Sequence, residues 1–211
     1  MTAIVAKKSG SSYEPMEPGN YVARCIKMIH YGTITEDYLG TPKTLNKVQL
    51  TWELPTELKV FSEEKGEQPY VLSKDFTLSM HEKASLRKWL EAWRSKAFTN
   101  AESEAFDITN LIGKACMLNV IRTTKGDKTY ANISGVSSIP KGLTCPPQIH
   151  DSVVFSVDDF KQELFDTFPD YIKDKIKSSA EYKAMQQPNA VHTSPEPTNS
   201  LDEDDNDPLP F

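Results

Sequence analysis

The chain is predicted to be mainly β: five strands with one amphipathic helix between the third and fourth, then a short helical section. Three observations carry this. Val48, Leu50, Trp52 and Leu54 alternate with Lys47, Gln49, Thr51 and Glu53, the period of a strand with one buried and one wet face. Leu86, Trp89, Leu90 and Trp93 recur at helical spacing, with Lys83, Arg87, Lys88 and Arg94 on the other stripes. The Gly-containing stretch Thr124-Lys-Gly-Asp-Lys128 separates two further strand-like runs and marks a hairpin.

In chain order, residues 1–18 read as a flexible arm, Ser/Gly followed by Pro15 and Pro18. Strand one is expected over 21–31, ended by Gly32, and strand two carries the alternation around Trp52. A polar loop is expected up to Pro69, and strand three over 70–78. Ser79-Met-His-Glu82 has the spacing of a capping box for the helix, and Thr99-Asn-Ala-Glu102 repeats it before a short helix or turn at 100–110. Strands four and five are expected over 113–123 and 129–136. Past Pro140, Cys145-Pro-Pro147 is a stiff linker. Ser156-Val-Asp-Asp159 is expected to cap a helix with Phe155 and Phe160 as a hydrophobic staple. Phe160, Leu164, Phe165 and Phe168 form an apolar stripe, and Pro169 opens a further helix with Tyr171, Ile172, Ile176 and Tyr182, an appendage expected either to pack on the barrel or to form a surface shared with a second copy in a homo-oligomer.

The order β-β-β-α-β-β is that of a five-stranded Greek-key OB-type barrel; other small barrels and plain α+β sheets share parts of it. The domain division is therefore an arm at 1–18, an OB-fold domain at 19–140, a linker and helical extension at 141–186, and a disordered acidic tail at 187–211.

The net charge of −6 is not evenly spread. Residues 187–211 hold six acids and no Lys or Arg, so 1–186 balances 24 basic against 24 acidic residues. Within 1–150 there are 19 basic and 16 acidic residues. A mildly basic body and an acidic tail attract one another, with salt screening this over roughly 8–10 Å. Cys25, Cys116 and Cys145 are odd in number and widely spaced, which argues against a disulfide framework and for a reducing cytosol. The apolar runs are too short to span a bilayer, and the first residues lack a secretion signal, so the expectation is a cytoplasmic protein.

Enzyme motifs are lacking. His30, His81, His150 and His192 are scattered, and His81-Glu82 fails the H-E-x-x-H spacing. Phosphate loop, dinucleotide fingerprint and nucleophile elbow are absent from the sequence. The reading is a non-enzymatic protein with no cofactor and no metal.

Binding an unpaired nucleic-acid strand needs cations along the phosphates and aromatic faces for the bases, each stacked base worth about 1–3 kcal/mol. The predicted strands offer both. Lys27 and Tyr31 share a face of strand one, and Lys47 lies on the wet face of strand two. Tyr70, Lys74 and Phe76 share a face of strand three. Arg122, Lys125, Lys128 and Tyr130 flank the last hairpin. Trp52 is expected in the core, and Trp89 and Trp93 between helix and barrel; for Phe76, core and stacking both remain open.

The last residues, Leu201-Asp-Glu-Asp-Asp-Asn-Asp-Pro-Leu-Pro-Phe211, place Asp202, Glu203, Asp204, Asp205 and Asp207 ahead of an apolar tip with Pro210 and Phe211. A solvated acidic string with one apolar anchor suits docking into a basic groove with an apolar pocket. The tail is expected to lean on the basic body until nucleic acid displaces it. A partner would then accept Phe211 in an apolar pocket and pair its carboxylate with Arg or Lys.

These residues resemble the acidic, Pro-Phe-terminated tip of bacterial and phage single-stranded DNA-binding proteins. The body resembles phage-encoded members of that class at Glu17-Pro-Gly-Asn-Tyr-Val-Ala-Arg-Cys25, Leu50-Thr-Trp-Glu-Leu-Pro55, Phe76-Thr-Leu-Ser-Met-His-Glu-Lys83 and Lys128-Thr-Tyr-Ala-Asn-Ile133. The likeness covers roughly 17–186 and the tip. It implies an OB fold, cooperative coating of single-stranded DNA in replication, recombination and repair, and a tail that recruits replication partners such as a polymerase, helicase or nuclease. Leu209 departs from the bacterial tip, which favours a cognate phage partner over the host's own. A strand-annealing or recombination mediator, an adaptor that docks a partner without touching DNA, and an enzyme on an OB scaffold are the other readings.

Overall fold

The computed structural model describes residues 15–38 and 40–186. The fold is mainly β, an open antiparallel sheet with short helices on it. β1 spans Gly19–Tyr38, β2 Thr41–Ser62, β3 Gly66–Thr77, β4 Ala115–Lys125 and β5 Lys128–Ser137. Their order across the sheet is β3-β2-β1-β4-β5, and a short β6, Val153–Ser156, pairs with β1 in parallel. Residues of β3 and β5 approach one another, but no hydrogen-bonded ladder joins them among the described residues, so the sheet is not closed.

β1 is the hub. One edge pairs with β2; the other pairs with β4 over 19–24 and then with β6 over 27–30. The change of partner falls at a bulge between Cys25 and Lys27. The extra residue re-phases the alternation, so that Ala23, Cys25 and Met28 all face one core. That core joins Val48, Leu50, Trp52, Leu54 and Phe76 to Leu86, Leu90 and Trp93 of α1, Ser85–Arg94. On the opposite face, Ile29 and Tyr31 meet a second core of Phe155, Val157, Phe165, Phe168, Ile172 and Ile176. These come from β6, a 3-10 turn at 157–159, and α3 (Gln162–Asp166) and α4 (Asp170–Ser178). The C-terminal section is therefore a lid on the sheet's outer face.

Several expected boundaries move. Gly32 does not end β1; it takes φ +90° at a second bulge, and the strand runs on to Tyr38. Residues 55–69 are not a loop, because β2 continues to Ser62 and returns as β3 from Gly66, a protruding hairpin. The Ser79–Glu82 box does not form. Ser79 Oγ accepts from the His81 N–H (3.3 Å), and α1 starts later, behind Ala84, which has no side-chain cap. Arg87, expected on a wet stripe, is buried and donates to the carbonyls of Met80 (3.2 Å) and Phe98 (2.9 Å). The Thr99–Glu102 box does form, at the start of α2, Asn100–Glu104. Ser156 caps only the 3-10 turn, with Phe155 and Phe160 in edge contact at 5.8 Å. The last helix, α5, spans Ala180–Met185.

Gly32 is held closely by this lid. A Cβ there would lie 2.8 Å from Val157 Cγ1 and would also strike the carboxylate of Glu181, which accepts from the Thr33 backbone N–H (2.7 Å) and hydroxyl (2.6 Å). Gly32→Ala is expected to destabilise the protein by about 1–3 kcal/mol, from the positive φ and the clash together. A urea midpoint unchanged from wild type would contradict this packing.

Glu102 accepts from the Thr99 N–H and bridges Arg94 (3.0 Å) and Lys96 (3.1 Å). The Thr99 bond first, then the two cations, hold its carboxyl down to about 2. Because the folded value is depressed, its contribution is present above the ordinary carboxylate range and is lost as pH falls towards 2. Glu102→Gln is expected to flatten the acid limb of the unfolding midpoint between about pH 5 and pH 2; a limb as steep as wild type would contradict it.

Candidate nucleic-acid interface

The ten candidate residues do not fall on one face. Tyr31 is wholly buried in the second core, and its hydroxyl donates to Asp75 Oδ1 at 3.2 Å. Burial first, then the Asp75 carboxylate, push it far above the ordinary phenol range. It cannot stack a base, which corrects the expectation for it. Phe76 is core, only 2% exposed, against Trp89 at 5.4 Å. Lys74 lies with its ammonium 5.4 Å from the Trp89 ring and 5.9 Å from Phe76, on the inner side of β3. Tyr70, also on that side, is half-buried and edge-on to Phe61 at 5.1 Å. Thus the Tyr70–Lys74–Phe76 face points inward, because residue 76 pairs with Val48 and residue 70 with Leu54, both core.

Lys47 is bound to Glu36 at 2.8 Å with little of its side chain exposed. Lys27 sits half-buried between β2 and β6, opposite Thr51 and Val153. Arg122 is spent on the chain's own N-terminal segment, donating to the carbonyls of Pro15 (2.6 Å) and Met16 (3.1 Å) and to Glu17 (2.9 Å). Residues 15–17 are therefore fixed to the sheet, unlike the flexible arm expected through 18.

Lys125, Lys128 and Tyr130 remain, and the structure does bring these together. Thr123 pairs with Tyr130 and Lys125 with Lys128, which puts all four on the outer face of the β4–β5 hairpin. Each is exposed, Tyr130 to 44%. Further down, the same strands expose Asn119, Asn132 and Ser134, with Asn119 accepting from Ser134 and donating to Asn20 (2.9 Å). From 115 to 137 there is one carboxylate, Asp127, in the turn. The face is thus polar, nearly free of acids, and has an aromatic ring beside two ammonium groups.

A second hairpin, β2–β3, protrudes where the sequence predicts a polar loop. It exposes Leu58, Val60, Phe61 and Val71. The alternation Leu58-Lys-Val60 before Lys65-Gly66 was the signal. Glu57, Glu63, Glu64 and Glu67 outnumber Lys59 and Lys65 there, so phosphates are repelled from its tip. By register both hairpin tips lie at the N-terminal end of β1.

The remaining outer surface is taken up by the chain itself. Glu53, predicted on a wet face, is wholly buried and accepts from the N–H groups of Ile149 (2.6 Å) and His150 (2.8 Å) and from the His150 ring (2.6 Å). Its neighbour across the strands, Arg24, donates to the carbonyls of Gly113 (2.5 Å), Cys145 and Pro146 (both 3.0 Å). Cys25, raised to about 12 by burial, and Cys116, raised by burial too, are not reactive thiols.

Asp202, Glu203, Asp204, Asp205, Asp207, Pro210 and Phe211, the expected partner-docking residues, lie outside the described residues. No helix among the described residues is long and apolar enough to cross a membrane. Comparison with family models and with curated proteins finds no match for the chain.

Proposed function

We propose that the protein binds single-stranded DNA through the outer face of its β4–β5 hairpin, on an OB-type barrel left open between β3 and β5. One observation carries the reading: Tyr130 is exposed beside Lys125 and Lys128, on a face lined by amides and hydroxyls and nearly empty of acids. A base stacks on the ring while the ammonium groups take the flanking phosphates. The OB-type reading is supported by β1 pairing with both β2 and β4 and by the nearness of β3 to β5. The acidic residues 202–207 act as a weak polyanion competitor for the same cations. DNA, with more charge and with stacking, displaces them and leaves the tail for a replication or recombination partner.

Oligo-dT binding followed by anisotropy at about 50 and 200 mM salt tests this. Affinity is expected to fall steeply with salt, to exceed affinity for duplex, and to rise at low salt when 201–211 are deleted. Absence of salt-dependent binding would overturn the reading and leave the adaptor. Rapid pairing of complementary strands would instead mark an annealing protein.

A further inference from the structure

We propose that the protruding β2–β3 hairpin is the seat of the chain's own N-terminal segment Ile4–Lys8. Leu58, Val60, Phe61 and Val71 are each 42–52% exposed on it. Large apolar side chains left bare together on a protrusion mark an interaction site. Leu58 pairs with Pro69 and Val60 with Glu67, which puts both on the same side as Val71. Lys59, paired with Gln68, stands on the other side with Tyr70. Glu63 and Glu64 occupy the turn, and Glu67 follows it on the Val60 side. Such a surface takes a segment that joins apolar residues to a neighbouring pair of cations.

The occupant follows from charge, position and reach. Ala3-Ile-Val-Ala-Lys-Lys8 has that composition, and Glu14 is the single acid from 1 to 14. The described chain begins against this hairpin. Pro15 and Glu17 share a cleft of about 260 Å³ with Tyr21, Glu57, Lys59 and Tyr70, and Arg122 holds the Pro15 carbonyl at 2.6 Å. β1 is antiparallel to β2, with Arg24 opposite Glu53, so residues ahead of Gly19 lead towards the turn at 62–66. The β4–β5 turn lies in the same direction, but its Lys125 and Lys128 repel Lys7 and Lys8, whereas Glu63 and Glu64 attract them. The turn acids stand four to seven residues beyond Lys59 and Glu57, roughly 13–23 Å along the hairpin. The seven residues from Pro15 to Lys8 span up to roughly 25 Å, which is enough. Val5 is three residues from Lys8 and Val60 three residues from Glu63, so Ile4 and Val5 fold over the turn onto Val60 and Leu58. Nothing in this arrangement depends on the DNA interface.

The test uses the full chain, without nucleic acid, with a benzophenone photo-crosslinking residue in place of Ile4. Adducts within one chain, mapped by mass spectrometry to 58–71, are expected. Lys7→Glu with Lys8→Glu is expected to lower their yield roughly fivefold at low salt, and Glu63→Lys with Glu64→Lys to do the same. Combining the two reversals is expected to restore the yield, because the ion pairs are then remade with opposite sign. A turn that mattered only for the hairpin's own folding would give no such rescue. Adducts only between chains would assign the hairpin to a second copy's segment and overturn the proposal. Adducts centred on 119–132, yields that neither reversal moves, or a combined variant no better than either reversal alone would overturn it as well.

Discussion

Replacing Lys125 and Lys128 together by glutamate is expected to weaken oligo-dT binding by about 100-fold or more at low salt. The two lysines pair opposite one another at the end of the hairpin, both exposed, with Asp127 the one acid between 115 and 137. Each reversal removes a phosphate contact and adds a repulsion, and each lost contact lowers the salt slope by about 0.7 for a single strand. Tyr130→Ala removes the stacking ring alone, about 1–3 kcal/mol, and leaves the salt slope where it was. That separation of charge from stacking is the signature of this face. None of the three side chains supports the core, so the variants are expected to unfold with the wild-type midpoint. An affinity for oligo-dT within twofold of wild type in the double variant would remove β4–β5 as the binding face.

Glu53→Ala is expected to have the largest effect on stability, about 3–5 kcal/mol. The carboxylate is wholly buried and accepts three hydrogen bonds from 149–150. Truncation leaves two backbone N–H groups without acceptors at a part-buried site, at about 1–3 kcal/mol each. The damage spreads beyond that point. Segment 141–150 leads directly into β6, which pairs with β1 beside Ile29 and Tyr31. Freed from Glu53, this segment no longer sets the register of β6, and the lid of α3 and α4 loses its anchor. Urea denaturation measures the loss, and hydrogen exchange at 153–156 should quicken with it. A loss under about 1 kcal/mol would show that 149–150 are held by something other than this carboxylate.

What could be read from the sequence follows from how local each determinant is. The strand around Trp52, the stripe of α1 and the Gly126 turn are set within a few residues, and each appears in the structure, although 48–55 is buried on both faces and the expected wet side with Gln49, Thr51 and Glu53 is covered. The Thr99–Glu102 box was legible for the same reason. The Ser79–Glu82 box had the same spacing and failed, because Arg87 draws the Met80 carbonyl into a buried site and the helix starts after it. Long-range packing decided the rest. Tyr31 and Lys27 share a strand face, as the period of two requires, but nothing in strand one says that helices 130 residues later will cover that face. Glu53 sits in an alternating strand whose wet side is roofed by a linker with no periodicity of its own. Arg122 carries the charge of a phosphate ligand and is occupied by the carbonyls of Pro15 and Met16 and the carboxylate of Glu17. The hairpin pair Lys125 and Lys128 with Tyr130 was legible because a tight turn fixes its own register.

Ultraviolet crosslinking of oligo-dT to the full chain, with peptide mapping of the adducts, tests the central claim most directly. Binding through the outer face of β4–β5 predicts adducts at Tyr130 and elsewhere within 119–132, lost in Tyr130→Ala. Adducts confined to the β2–β3 hairpin or to the C-terminal helices, with 119–132 unmarked, would contradict it.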